Sequence, residues 1–313
     1  MKRGDSGMER EQIRISVRNL VEFILRSGDI DNRRASLDTM EAMQAGSRLH
    51  RKIQKKTGST YHAEVPLNII IEEENYELGI WGRADGIIIE ETVTIDEIKG
   101  VYLSLDLLEE PIKVHLAQAK CYAYIYGIQN DLQKINVQMT YGNLDTGDLK
   151  YFSYEYSMQQ LQEWFSDLIL KYKKWADFQY EWRKKRQASI KELAFPFPYR
   201  EGQKELAAGV YRTIARKKNL FIQAPTGVGK TISTLYPAIK AVGEGLGDKI
   251  FYLTAKTVTA NVAKETLGIL CEKGYRAKSV QITAKEKLCP CEEVDCNPVS
   301  CPYAKGHFDR VND

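Results

Sequence analysis

Residues 221–231 read FIQAPTGVGKT, and this run restricts the chain more than any other stretch. The apolar residues Leu220–Ile222 predict a short strand, Gly227 and Gly229 a turn, and Gly229-Lys230-Thr231 the start of a helix. That order suits a triphosphate. Glycines let the backbone wrap close to phosphate oxygens, and N–H groups at a helix start aim partial positive charge at them. Lys230 is then placed to reach the β and γ phosphates, and the Thr231 hydroxyl to ligate Mg²⁺. ATP with Mg²⁺ is the expected ligand.

At 313 residues the chain has room for about two domains. With 43% hydrophobic and 28% charged residues it can build cores, and disorder is not expected. The net charge of +3 is too mild to imply a polyanionic partner by itself, so nucleic acid has to be argued from sites. No run reaches the ~18 apolar residues of a membrane span, and the N-terminus lacks the apolar segment of a signal peptide. A cytoplasmic protein with no membrane partner is expected. Four of the six cysteines crowd into residues 289–301, which in a reducing compartment favours a metal or cluster over disulfides.

Ser16 predicts an N-cap for a helix over Val17–Arg26, and a second helix is expected over Leu37–Lys56. The apolar period then falls to two. Glu64–Glu72, Tyr76–Ile89 and Val93–Ile98 read as a three-stranded meander, Val114–Tyr126 as a helix, and Ile135–Tyr141 with Leu149–Tyr156 as a hairpin. From Ser157 a long helix carries Leu161, Phe165, Leu168, Tyr172, Trp175, Phe178 and Trp182 on one face. The run Arg183–Arg186 reads as a solvated helix end. Pro196 and Pro198 stop the helix and mark a boundary.

Two carboxylate-bearing stretches are the chemical centre of the first half. Gly82-Arg83-Ala84-Asp85-Gly86 is followed, after a strand and turn, by Asp96-Glu97-Ile98-Lys99-Gly100. Alternate strand residues share a face, so Glu97 and Lys99 project together, and Asp85 on the neighbouring strand can meet them. Two carboxylates and an ammonium group suit a hard divalent cation and an attacking water, the equipment for phosphodiester hydrolysis. The acidic pair could instead belong to the nucleotide site, but it precedes the phosphate loop, whereas in such motors the acidic motif follows it.

This stretch, over roughly Ser16 to Tyr156, resembles the PD-(D/E)xK nucleases of the RecB type. The resemblance implies a restriction-endonuclease-like fold with Asp85, Glu97 and Lys99 as catalytic residues and Mg²⁺ or Mn²⁺ held by Asp85 and Glu97. It adds His50 as a metal ligand or orienting group. Gln118 and Tyr122, spaced i,i+4, then position the substrate backbone, and Glu64 stands where such nucleases often carry a glutamate.

The second half resembles superfamily 2 helicases, including Ala224 where the phosphate loop usually begins with glycine. Tyr199, Arg200 and Gln203 stand where that family reads adenine, and Thr254-Ala255-Lys256-Thr257, after an expected strand at Ile250–Leu253, resembles the motif that touches a single strand. Cys289, Cys291, Cys296 and Cys301, spaced C-x-C-x₄-C-x₄-C, resemble the iron–sulphur insertion of the XPD/DinG-like members. A [4Fe–4S] cluster needs four thiolates, and zinc is the alternative occupant. Cys271 is expected in the core, or as a replacement for Cys289. No acidic motif follows the phosphate loop, so ATP is expected to bind without useful hydrolysis.

The resulting expectation is an α/β chain: a nuclease domain at 1–185, a linker at 186–198, a partial RecA-like ATP-binding domain at 199–284, and the start of an Fe–S domain at 285–313. It would be the N-terminal part of an ATP-dependent helicase–nuclease acting on single-stranded or branched DNA in repair. The alternative is a non-cleaving DNA-binding module joined to a P-loop ATPase with a zinc knuckle.

Overall fold

The computed structural model describes residues 10–32, 39–56, 58–225 and 227–312. The fold is α/β, with one mixed sheet, and it divides into two compact units: residues 1–177 together with 291–313, and residues 178–290. Among the described residues no helix is long and apolar enough to cross a membrane.

The first unit is built on six strands: β1 (Gln12–Ser16), β2 (Tyr61–Glu72), β3 (Glu77–Ile89), β4 (Val93–Val101), β5 (Lys134–Asn143) and β6 (Leu149–Ser157). Strands β2, β3 and β4 form the expected antiparallel meander. Strands β4 and β5 run parallel, so they need a crossover, and α3 (Lys113–Gln129) supplies it. The apolar positions of β5 alternate as a half-buried strand requires: Ile135, Val137, Met139 and Tyr141 are fully buried. Burying each such side chain contributes about 1.5–3 kcal/mol, which pins the register.

Strand β1 was not expected from the sequence. It is five residues long and pairs in parallel with β3, 65 positions further along the chain. Its consequence is a fork. The free edge of β3 pairs with β1 through Trp81 and with β4 only from Gly86 onward, so Gly82–Asp85 face neither strand on that side.

Helix α1 (Val17–Leu25) starts where Ser16 predicts it, with the Ser16 hydroxyl accepting from Asn19 N–H at 3.1 Å. Helix α2 (Thr39–Lys56) follows, and residues 37 and 38 of the expected helix lie outside the described residues. Helix α4 (Met158–Lys191) buries Leu161, Phe165, Leu168 and Tyr172. It runs on to Lys191, so residues 186–191, expected as linker, are helical; the break comes just before Pro196 and Pro198.

Residues 291–312 return to the first unit and dock on residues 26–32. Ile30 N–H donates to Ala304 carbonyl at 3.0 Å, Asn32 N–H to Cys296 carbonyl at 3.1 Å, and Phe308 N–H to Gly28 carbonyl at 2.9 Å. The Asp309 carboxylate accepts from Gly28 N–H at 2.9 Å, and the Arg26 guanidinium lies 3.6 Å from the centre of the Phe308 ring.

In the second unit, α5 (Gln203–Ala215), α6 (Lys230–Gly243) and α7 (Thr257–Glu272) carry most of the order. Ile190 and Leu193 pack with Ile232, Ile239, Val242, Leu270 and Tyr275 as its core. The strands expected at Leu220–Ile222 and Ile250–Leu253 do not form: among the described residues both stretches are unpaired. A strand exists only through hydrogen bonds to a neighbour, and neither stretch has one. Cys271, expected in the core, is exposed, because Leu270 takes the inward position beside it.

Candidate functional site

Asp85 sits at the fork. Where β3 leaves β4, its carboxylate replaces the missing strand partner by accepting from Ile98 N–H at 2.8 Å. Its other oxygen lies 3.5 Å from His50 Nδ1 on α2, and Gln54, one turn further, donates to the Asp85 carbonyl at 3.0 Å. Across the ladder, Glu64 drops out of the β2–β3 register and adopts a φ of +56°. A non-glycine residue there is strained, at roughly 1–3 kcal/mol, and such strain gathers at functional sites. Ligand atoms of His50, Glu64 and Asp85 all lie within 4.8 Å of one another.

The acidic pair on β4 divides by face. Asp96 turns one way and is satisfied by Tyr61 hydroxyl at 3.1 Å, Gln138 Nε2 at 3.2 Å and Thr140 hydroxyl at 2.5 Å. Burial raises its pKa, and those three donors oppose the rise. Glu97 turns the other way, onto the face of Lys99. Its Oε1 accepts from Lys99 Nζ at 2.7 Å, while its Oε2 is buried without a hydrogen-bond partner. Burial pushes the Glu97 carboxyl up to about 8, against the pull of Lys99.

Lys99 also donates to Gln118 Oε1 at 3.2 Å, and Gln118 Nε2 lies 3.5 Å from the Tyr122 hydroxyl. The structure thus joins Glu97, Lys99, Gln118 and Tyr122 in one chain of contacts, and His50, Glu64 and Asp85 in a second set. Gly82 makes this possible: a Cβ there would stand 2.6 Å from the Tyr122 hydroxyl. In the second set, one imidazole and two carboxylates within 4.8 Å of one another fit a hard divalent cation.

A cavity of about 320 Å³ opens beside Lys99. Its walls include three residues that sequence reasoning missed: Arg18 and Glu22 on α1, and His115 on α3. Arg18 is held by Glu22 at 2.8 Å. For His115 a signal was available, since 115, 118 and 122 follow i, i+3, i+7 spacing on one helix face. For Arg18 there was none, because α1 comes to the site through tertiary packing, on α3 and β3.

In the second unit, Gly227 and Gly229 adopt φ of +85° and +75°, the conformation that the phosphate loop needs and side chains resist. Helix α6 begins at Lys230, whose Nζ donates to the carbonyls of Ala224 at 3.0 Å and Pro225 at 2.7 Å; Thr231 follows in its first turn. Thr226 lies outside the described residues. Arg200 reaches the Gly227 carbonyl. Gln203 accepts from Arg200 N–H at 3.0 Å and donates to the Val228 carbonyl at 3.2 Å, so its amide ties the start of α5 to the loop.

Cys291 packs against buried Cys296, Cys301 and Ala304, together with Ile30. Among the described residues their sulfurs do not converge within 4.8 Å as a set of three ligands, so the cluster is apolar packing as it stands. Cys289 belongs to the second unit.

No protein-family profile matches the chain. A stretch of 51 residues is 51% identical to part of the probable ATP-dependent helicase MJ0942 of Methanocaldococcus jannaschii; it covers 16% of this chain and 8% of that protein. The crystal structure of SSO0001 aligns with 52% of this chain and 79% of its own, at 20% identity and a TM-score of 0.32, a likeness too low to bear on the fold. The chain contains a helicase-related stretch.

Proposed function

We propose that the first unit hydrolyses DNA phosphodiesters with Mg²⁺ or Mn²⁺ and that the second binds ATP, both as parts of an ATP-dependent helicase–nuclease. The observation that carries the reading is the fork in β3, which brings Asp85 to the backbone of β4 and faces it with His50 and Glu64. His50, Glu64 and Asp85 would hold the cation, while Glu97 pairs with Lys99. The cation, when bound, polarises a phosphoryl oxygen and makes its water a better nucleophile.

Lys99 has three N–H donors, of which Glu97 and Gln118 take two, leaving one to orient water or offset charge on the phosphoryl group. Gln118 and Tyr122 steady the strand alongside. The 51-residue match supports the helicase part, and the left-handed glycines before Lys230 support nucleotide binding. For the cysteine segment a [4Fe–4S] cluster is the favoured occupant; metal analysis that found one zinc instead would replace it.

The test is digestion of single-stranded and branched DNA by the full chain in Mn²⁺, with Lys99→Ala and Asp85→Asn beside it. Each variant should lose about a hundredfold or more in rate. A wild-type protein that retains DNA without cutting it would instead be the non-cleaving binding module.

A further inference from the structure

His115 plays no part in the reading so far, yet its surroundings are specific. On β5, the Tyr141 hydroxyl accepts from Ile112 N–H at 3.0 Å and lies 3.0 Å from His115 Nδ1. A hydroxyl has one proton. Ile112 fills one acceptor position of that oxygen, and the tautomer with Nδ1 accepting the Tyr141 proton and the ring proton on Nε2 gives the buried hydroxyl a partner for its proton. The described residues offer Nε2 no acceptor, and His115 lines the cavity shared with Lys99, Gln118 and Arg18.

We propose that His115 is a strand-binding residue whose Nε2–H donates to a phosphate oxygen of the nucleic acid, next to the phosphodiester that Lys99 serves. The proposal rests on the nuclease reading and deepens it. Burial and the nearby charges of Lys99 and Arg18, opposed by Glu22, lower the His115 pKa to about 4. The ring therefore stays a neutral donor at any ordinary working pH. A neutral donor adds direction without adding charge to a cavity that already holds Lys99 and Arg18. His115 and Gln118, one turn apart on α3, then present two polar groups to the same cavity.

Geometry supplies the test, because glutamine places an amide N–H near Nε2 and asparagine places one near Nδ1. Binding of a labelled single-stranded oligonucleotide to the full chain is measured in Ca²⁺, and KM and kcat of cleavage in Mn²⁺. We expect His115→Asn to weaken binding and raise KM about tenfold with little change in kcat, and His115→Gln to stay within about threefold of wild type. Tyr141→Phe, which frees the tautomer, should fall between them.

Equal affinity in all four proteins would overturn the proposal. So would equal defects in both His115 variants with matching losses of thermal stability, which would mark the residue as structural. A wild type that binds but never cuts would sink the cleavage reading and leave the binding arm to decide on His115. A wild type that binds no strand would sink the inference.

Discussion

Glu97 shows how one side chain can be read from the sequence in part only. Its place two residues before Lys99 on a strand was legible, and so was the shared face. Its separation from Asp96 was not, because that depends on Tyr61, Gln138 and Thr140 converging from other strands to satisfy the neighbouring acid. The energetic consequence has a definite sign. The folded carboxyl titrates near 8 against an ordinary 4.5, so the native state holds the extra proton across that window. Stability therefore falls as pH rises from about 4.5 through 8, and the full penalty applies above it. Glu97→Gln removes the buried charge. In EDTA it should raise the melting temperature by several degrees at pH 9 and hardly at pH 5, while abolishing cleavage in Mn²⁺. Equal shifts at both pH values would contradict the burial argument.

The elements that sequence reasoning placed well are the ones whose periodicity is local. Strands β2 to β6 and helices α1 and α3 lie within a few residues of where their patterns put them. What it missed was set at a distance. Strand β1 has only two apolar residues, Ile13 and Ile15, and exists because β3 offers an edge 65 positions away. Glu64 leaves its register at a point no propensity marks, since a glutamate in the left-handed region runs against every local preference. The packing of α3 on β3 yields a prediction at this scale. Gly82→Ala would drive a methyl group to 2.6 Å from the Tyr122 hydroxyl and 2.7 Å from its ring. Chemical denaturation should show a loss of about 1–3 kcal/mol, and cleavage should fall with it as Tyr122 moves. A variant as stable and active as wild type would mean that α3 yields at no cost.

For the molecule as a whole, the two units differ in how completely their apolar residues are covered. In the first, the middle of β4 is buried on both faces, through Ile95 and Glu97 on one and Asp96 and Ile98 on the other. In the second, Phe221 and Leu253 are 96% and 88% exposed, on stretches that the sequence marks as strands but that pair with nothing described, and Val280 and Ile282 are 86% and 90% exposed. Exposed apolar surface of this kind mediates association. The full chain should bind an apolar fluorescent dye at neutral pH, and the double substitution Phe221→Ser with Leu253→Ser should reduce that signal by about half or more. No dye binding by the wild type would show the surface to be covered in solution.

The chain departs from the first unit after Asp177 and rejoins it at Cys291, so residues 178–290 are spliced into it as an insertion rather than appended to it. A backbone nick between Pro290 and Cys291 would leave the cysteine-bearing tail fastened by its grip on residues 23–32. Whether the severed pieces then stay together depends on a few hydrogen bonds and one arginine–phenylalanine stack, with the thiols buried between them.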